Sequence, residues 1–302
     1  MPGGYGRRPP GFVWNALALA RRRLWQFSAA FLSNANLPGF MQGTIYQGGS
    51  KALCLPGLNC YSCPGALGAC PLGALQSALS GTVLRVLFYV LGCLVLMGIL
   101  FGRMICGWLC PFGLIQELFF RLPGPKLRKG QWSVRLSQLK YLWGVLLILL
   151  LPLLLFVFTG VGEPLFCKYV CPAGTLEASV PLLTMNASLA AAAGWLTAWK
   201  FVLLGLFLLA MVFIYRPFCR FLCPLGAWYG LFNRSAVLGI AVDSHRCTHC
   251  GRCSQFCGMD VKLAGDRECI SCGECREICP VQAIHFRQSK NQSNQILEAK
   301  HL

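Results

Sequence analysis

The chain has 302 residues, 56% of them hydrophobic and only 12% charged, which excludes an ordinary soluble enzyme and places it among membrane proteins. Its formal charge of +17 invites a nucleic-acid reading, but the Lys and Arg residues sit in blocks beside apolar stretches, as orientation signals do, so no nucleic-acid partner is expected. Nineteen cysteines at short, regular spacings point to metal ligation ahead of a disulfide scaffold.

Taken in chain order, a basic N-terminus (1–23) carries Arg7, Arg8 and the Arg21–Arg23 triplet into a first predicted span from Leu24 to Met41. No small-residue cleavage site follows it, so it reads as a retained anchor. Further spans are expected between Arg85 and Arg103, from Tyr141 to Gly162, and from Leu196 to Tyr215, each near the 20 apolar residues that cross a bilayer. The stretch from Ala178 to Trp199 is uncharged but interrupted by Pro181 and Asn186, and reads as interfacial or re-entrant. The fold class is thus an α-helical integral membrane protein with four transmembrane helices over 24–242, re-entrant Cys-Pro helices, and a small C-terminal α+β domain.

Charge sets the orientation. Arg103, Arg121, Lys126, Arg128, Lys129, Arg135 and Lys140 fill the 103–140 link, whereas the links 42–84 and 163–195 hold little beyond Lys51 and Lys168. Positive-inside puts both termini and the 103–140 link in the cytoplasm of a prokaryote, making this a multi-pass protein of the cytoplasmic (inner) membrane with lipid as a partner. Glu117, Glu163 and Glu177 are the acids before Asp243; Glu117 and Glu177 follow Cys-Pro motifs and are expected to be solvated at headgroup level.

Four Cys-Pro-x-Gly motifs recur: Cys70-Pro71-Leu72-Gly73, Cys110-Pro111-Phe112-Gly113, Cys171-Pro172-Ala173-Gly174 and Cys223-Pro224-Leu225-Gly226. The last three have another cysteine four residues earlier (Cys106, Cys167, Cys219), and the first follows Cys60 and Cys63. Proline suits the first turn of a helix, so each motif should open one with cysteine at its N-cap, where the helix dipole favours the thiolate that binds iron. Topology groups Cys106, Cys110, Cys219 and Cys223 on the inner side and Cys60, Cys63, Cys70, Cys167 and Cys171 on the outer side, one cluster near each face. Buried small residues or, outside, disulfides remain the alternatives. Cys54 is a substitute outer ligand and Cys93 a packed apolar residue. A hydrocarbon core about 30 Å thick separates the two faces, so either the Cys-Pro helices dip inward or another carrier bridges the gap.

The polar domain over 243–287 carries Cys247, Cys250, Cys253 and Cys257 in one C-x2-C-x2-C-x3-C run and Cys269, Cys272, Cys275 and Cys279 in another. In a bacterial two-cluster ferredoxin the fourth cysteine of each run ligates the other cluster, which assigns Cys247, Cys250, Cys253 and Cys279 to one [4Fe-4S] cluster and Cys269, Cys272, Cys275 and Cys257 to the second. Paired structural zinc sites are the bland alternative. Gly258 stands where the pattern has proline. The tail 288–302 is polar and expected to be disordered. The four histidines, His245, His249, His285 and His301, all follow the last apolar segment, and no C-x-x-C-H run exists, so no haem is expected.

Arg103-Met-Ile-Cys106-Gly-Trp-Leu-Cys110-Pro111 and Arg216-Pro-Phe-Cys219-Arg-Phe-Leu-Cys223-Pro224, followed by the double ferredoxin run, resemble the membrane quinol-dehydrogenase ferredoxin subunit of periplasmic nitrate reductase systems. The membrane half of the nitrous-oxide reductase regulator and electron donor is similar. The resemblance, which runs from the first span to Arg287, implies four membrane helices, cytoplasmic clusters, and electron traffic between a quinone pool or cytoplasmic donor and an outer partner. The extra outer cysteines depart from it. The expected function is therefore that of a membrane iron–sulfur electron-transfer subunit, with two [4Fe-4S] clusters in the ferredoxin domain and two more in the membrane domain, passing electrons to a membrane or extracytoplasmic acceptor. Whether it is itself a quinol dehydrogenase stays open. The alternative is a redox maturation factor that reduces a metal or thiol for a respiratory enzyme.

Overall fold

A computed structural model describes residues 13–80, 84–127, 129–160 and 162–287. Arg7, Arg8, Arg128 and the 288–302 tail lie outside the described residues. The chain is mostly helical, with one two-stranded antiparallel sheet near its C-terminal end.

Two helices, Gln131–Thr159 and Trp195–Phe213, are long and apolar enough to cross a membrane. Only 11% of each apolar window is buried, so their side chains face outward, unlike those of a soluble protein's core helix. The second expected span is an 18-residue helix, Leu84–Phe101. The third begins ten residues before Tyr141, so the link expected to end at Lys140 is itself helical from Gln131. A π-turn at Leu146–Leu150 just before Pro152 absorbs the proline's missing donor, and Gly160, at φ 72°, ends the helix in the left-handed conformation.

The first expected span is not one helix. Val13–Ser33 is helical straight through the Arg triplet, and a separate short helix, Leu37–Gln42, follows. Asn34 turns its side-chain amide back onto the Ala30 carbonyl, competing with the backbone ladder, and Pro38 can only open a new helix. The 178–199 region is likewise broken: Val180–Met185 ends at Asn186 in extended backbone, and Ala187–Ala191 precedes Trp195. Neither piece is long enough to cross a bilayer.

The strand Gly239–Val242 pairs with Ile284–Arg287, Gly239 opposite Arg287 and Val242 opposite Ile284. The sheet that closes the C-terminal domain thus starts four residues before Asp243. Its two cysteine loops share one backbone pattern. His249 and Ser271 (φ 51° and 50°) precede the second cysteine of each run, and Gly251 and Gly273 (φ 70° and 84°) follow it. These left-handed positions curl each loop around its thiols.

The basic residues near the membrane are not solvated orientation charges alone. Arg22, Arg103, Lys140, Arg216 and Arg220 are each 3% exposed or less. Arg103 and Lys140 pair with Glu268, Arg220 pairs with Asp260, and Arg22 reaches Glu274 at 3.6 Å. All three acids belong to the C-terminal domain, so this charge network docks that domain onto the Cys-Pro helices.

Candidate metal centres

The expected N-caps are present. Cys110, Cys171 and Cys223 cap Pro111–Phe120, Pro172–Gly174 and Pro224–Phe232, each in extended backbone with proline in the first turn, and Cys70 precedes Pro71–Ser80. The motif's glycine has a role that the spacing did not reveal. The amides of Gly73, Gly113, Gly174 and Gly226 donate to the sulfurs of Cys70, Cys110, Cys171 and Cys223. A side chain at Gly113 would press on the Cys106 carbonyl, 2.9 Å away, and one at Gly174 would meet Cys60 Sγ at 3.5 Å.

The residue six positions after each motif cysteine reaches across to the partner segment. Gln76 Oε1 accepts the Cys167 N–H (3.2 Å), Gln116 Oε1 accepts the Phe218 N–H (3.2 Å), and Glu177 Oε2 accepts the Cys60 N–H (2.7 Å). Tyr229, the fourth, donates its hydroxyl to the Pro56 carbonyl at 3.0 Å. The helix bearing Cys70 is therefore tied to Cys167, that bearing Cys110 to the Cys219 segment, and that bearing Cys171 to Cys60.

These ties build two sets of thiols. In the inner set, Arg103 and Arg216 brace each other's segments: Arg216 Nη1 donates to the Cys106 carbonyl (2.5 Å) and Arg103 Nη2 to the Cys219 carbonyl (3.3 Å). Gln116 Nε2 donates to Cys219 Sγ at 3.0 Å. The Cys223 thiol hydrogen-bonded to Cys219, with Arg216, Gln116 and Arg103 alongside, pushes the Cys219 thiol down from its ordinary value despite burial. Cys106, Cys110, Cys219 and Cys223 are all buried in one core.

In the outer set, Cys60, Cys70, Cys167 and Cys171 line one cavity of about 1340 Å³. Cys63 does not. Its thiol meets Asn34 Oδ1 at 3.5 Å, off the cavity. Cys54 lines the same cavity, and Cys93 packs partly buried against the core. None of the nineteen cysteines is disulfide-bonded.

In the C-terminal domain Cys247, Cys250, Cys253 and Cys279 line one cavity; Cys257, Cys269, Cys272 and Cys275 line a second, which Cys253 also lines. Gly258 replaces the expected proline because the Tyr215 ring occupies the space, 2.5 Å from where a Cβ would stand. The second loop lies on the inner set. Trp108 Nε1 donates to the Ser271 carbonyl (3.0 Å), Asn233 Nδ2 to the Cys269 carbonyl (2.9 Å), and a Cβ on Gly107 would overlap the Ile270 carbonyl oxygen.

Of the two acids expected at headgroup level, Glu117 is buried and Glu177 half-buried with its Oε1 out of solvent. Glu117 is 4% exposed and takes bonds from Arg22 (2.8 and 3.0 Å), Arg216 (2.6 and 3.1 Å) and Tyr215 (2.7 Å). Burial alone would raise its pKa, but Arg216 and Arg22 outweigh burial and hold it at about 2. Glu177 has no such cations. Burial pushes it up to about 8 against the pull of the Cys60 amide, and its Oε1 has no partner. Hydropathy patterning could not show partners this distant in sequence. Glu163 pairs with Lys168 at the surface.

Among the described residues no group of three or more His, Cys, Asp or Glu side chains closes tightly enough to hold a single metal ion. The thiols instead surround cavities, with backbone amides and cations directed at sulfur, an environment that suits thiolates spread over a polynuclear iron–sulfur core. Fold and thiol geometry together define an iron–sulfur protein with a ferredoxin-type domain on a helical scaffold. Residues 82–130, 143–179 and 195–241 match one 4Fe-4S binding domain family, and residues 266–285 match another. The methylamine utilization ferredoxin-type protein MauN of Methylorubrum extorquens is 30% identical over 63% of this chain and 55% of its own length. Protein NirI of Paracoccus denitrificans is 34% identical over 54% of this chain and 22% of its own length. Regulatory protein NosR of Pseudomonas aeruginosa is 32% identical over 55% and 21%. The chain is thus a homologue of these proteins over part of their length, and it carries 4Fe-4S binding domains. It spans between 54% and 64% of the length of the first relatives it matches. No solved structure matches.

Proposed function

We propose that this chain passes electrons between a cytoplasmic donor or the quinone pool and a membrane or extracytoplasmic acceptor. It would do so as a four-span protein of the cytoplasmic membrane with both termini inside. Four [4Fe-4S] clusters, when bound, supply one-electron carriers along the route. Cys247, Cys250, Cys253 and Cys279 hold the first and Cys257, Cys269, Cys272 and Cys275 the second. The inner set (Cys106, Cys110, Cys219, Cys223) holds the third. Cys60, Cys70, Cys167 and Cys171 hold the fourth, with Cys63 left over. The observation that carries this reading is the packing of the Cys269–Cys272 loop directly on Gly107 and Trp108, beside Cys106. The outer cavity also extends well beyond its thiols, to Tyr89, Leu182 and Lys200, which leaves room for a quinone headgroup beside the outer set.

Iron and acid-labile sulfide measured on anaerobically purified protein should give about sixteen of each per chain, four per cubane. About eight of each would mean that the membrane cysteines hold none, and the transmembrane route would be lost.

A further inference from the structure

The inner and outer thiol sets were expected at opposite faces of the bilayer, yet they share one wall. The loop from Cys54 to Cys60 leaves the outer set and runs down onto the helix opened by Cys110. Gly57 is the point of closest approach: a Cβ there would stand 3.2 Å from Cys110 Cα and 3.3 Å from Pro111 Cδ. Beyond it, the Leu58 amide donates to Cys110 Sγ, and the next amide, that of Asn59, donates to Cys70 Sγ. Leu58 and Asn59 are 3% and 1% exposed and lie in neither helix nor turn. The hydroxyl of the buried Tyr229 anchors the loop through the Pro56 carbonyl.

We infer that the Leu58–Asn59 segment couples the two membrane centres, its two amides each tuning one of them and its backbone supplying a bonded path between them. This rests on the reading that both thiol sets hold clusters. It also removes the gap of a full bilayer thickness, because the outer loop, rather than the Cys-Pro helices, dips inward. Leu58 and Asn59 are positioning residues that act through cysteine sulfur. An N–H bond to a ligating thiolate stabilises the more negative, reduced cluster and so raises its potential.

The test is a redox titration of the full-length protein, followed by electron paramagnetic resonance, with signals assigned by their loss in Cys106→Ser and Cys70→Ser. Leu58→Pro removes the donor to Cys110 and should shift the inner midpoint potential downward while leaving the outer and ferredoxin potentials in place. Asn59→Pro should do the same to the outer centre alone. Gly57→Ala keeps both amides but pushes the loop off Cys110. It should lower the inner potential and weaken magnetic coupling between the inner and outer centres, and it decides the matter if a proline variant loses iron. Iron near sixteen with every potential and the coupling unmoved would overturn the bridge while leaving the electron-transfer reading intact. Wild-type iron near eight would overturn both.

Discussion

Glu117→Ala is the sharpest test of how the inner site is held. The carboxylate is the common partner of Arg22 from the first helix and Arg216 from the segment before Cys219, and all three side chains are 4% exposed or less. Removing one partner of a buried ion pair costs about 3–5 kcal/mol, because the other charge is left uncompensated. The protonation equilibrium gives a second route to the same quantity. A carboxyl whose pKa moves from 4.5 to about 2 on folding stabilises the folded state by about 3 kcal/mol, at 1.36 kcal/mol per pH unit. The folded value is the lower one, so this contribution is complete above pH 4.5 and drains away as pH falls toward 2. In wild type, loss of cluster absorbance on heating in detergent should therefore move to lower temperature as the buffer is acidified from pH 5 to pH 3. Glu117→Ala should sit at lower temperature throughout and show little of that acid sensitivity. Glu117→Gln, which can still accept from Arg22 or Tyr215, should fall between. A Glu117→Ala protein destabilised by less than about 1 kcal/mol, with the wild-type acid profile, would show that Arg22 and Arg216 are solvated and that the buried triad is wrong.

Two further outcomes follow from the packing. Gly107→Ala should lift the Cys269–Cys272 loop off the inner site and break the Trp108–Ser271 bond. Stopped-flow absorbance should then show slower reduction of the membrane centres at unchanged iron content, and a wild-type rate would remove this contact from the route. Glu177→Gln should keep the outer centre, since glutamine fills the equivalent position at 76 and 116, whereas Glu177→Ala strands the Cys60 amide and should lose about four irons; equal iron in the two variants would refute the tie.

Legibility in the sequence followed the range of the interaction. The ferredoxin runs could be read because their cysteines lie three or four residues apart. Cysteine at the N-cap was readable from the adjacent proline alone. The first span was misplaced because a hydropathy window treats Arg21–Arg23 as a boundary. It cannot register that Arg22 has a carboxylate partner 95 positions away. The same blindness put Glu117 and Glu177 in water. A local cue did exist and went unused: Gln76, Gln116, Glu177 and Tyr229 all stand six residues after a motif cysteine. Arginine likewise stands three residues before both Cys106 and Cys219, visible in the repeat but without a role until each was seen to brace the other's segment.

The surplus of buried cations explains why these arginines sit inside at all. Around the inner thiols, Arg22, Arg103, Lys140 and Arg216 face two buried carboxylates, Glu117 and Glu268, and the half-buried Glu274 stands 3.6 Å from Arg22, which leaves one positive charge in excess. An uncompensated buried charge costs several kcal/mol, so the excess needs a negative counterpart nearby. The other two acids before Asp243 do not supply it: Glu163 is engaged by Lys168 and Glu177 lies with the outer set at Cys60. The remaining groups able to carry negative charge there are the thiols, and Cys106 has Arg103, Arg216 and Lys140 as its neighbours of opposite sign. Four thiolates around an oxidised cubane core would carry a net charge of about −2, enough to offset that excess. Residues that positive-inside counting takes as topology signals would in this way also be the counter-ions of a centre bound there, and Arg103 and Lys140 among them hold the C-terminal domain through Glu268.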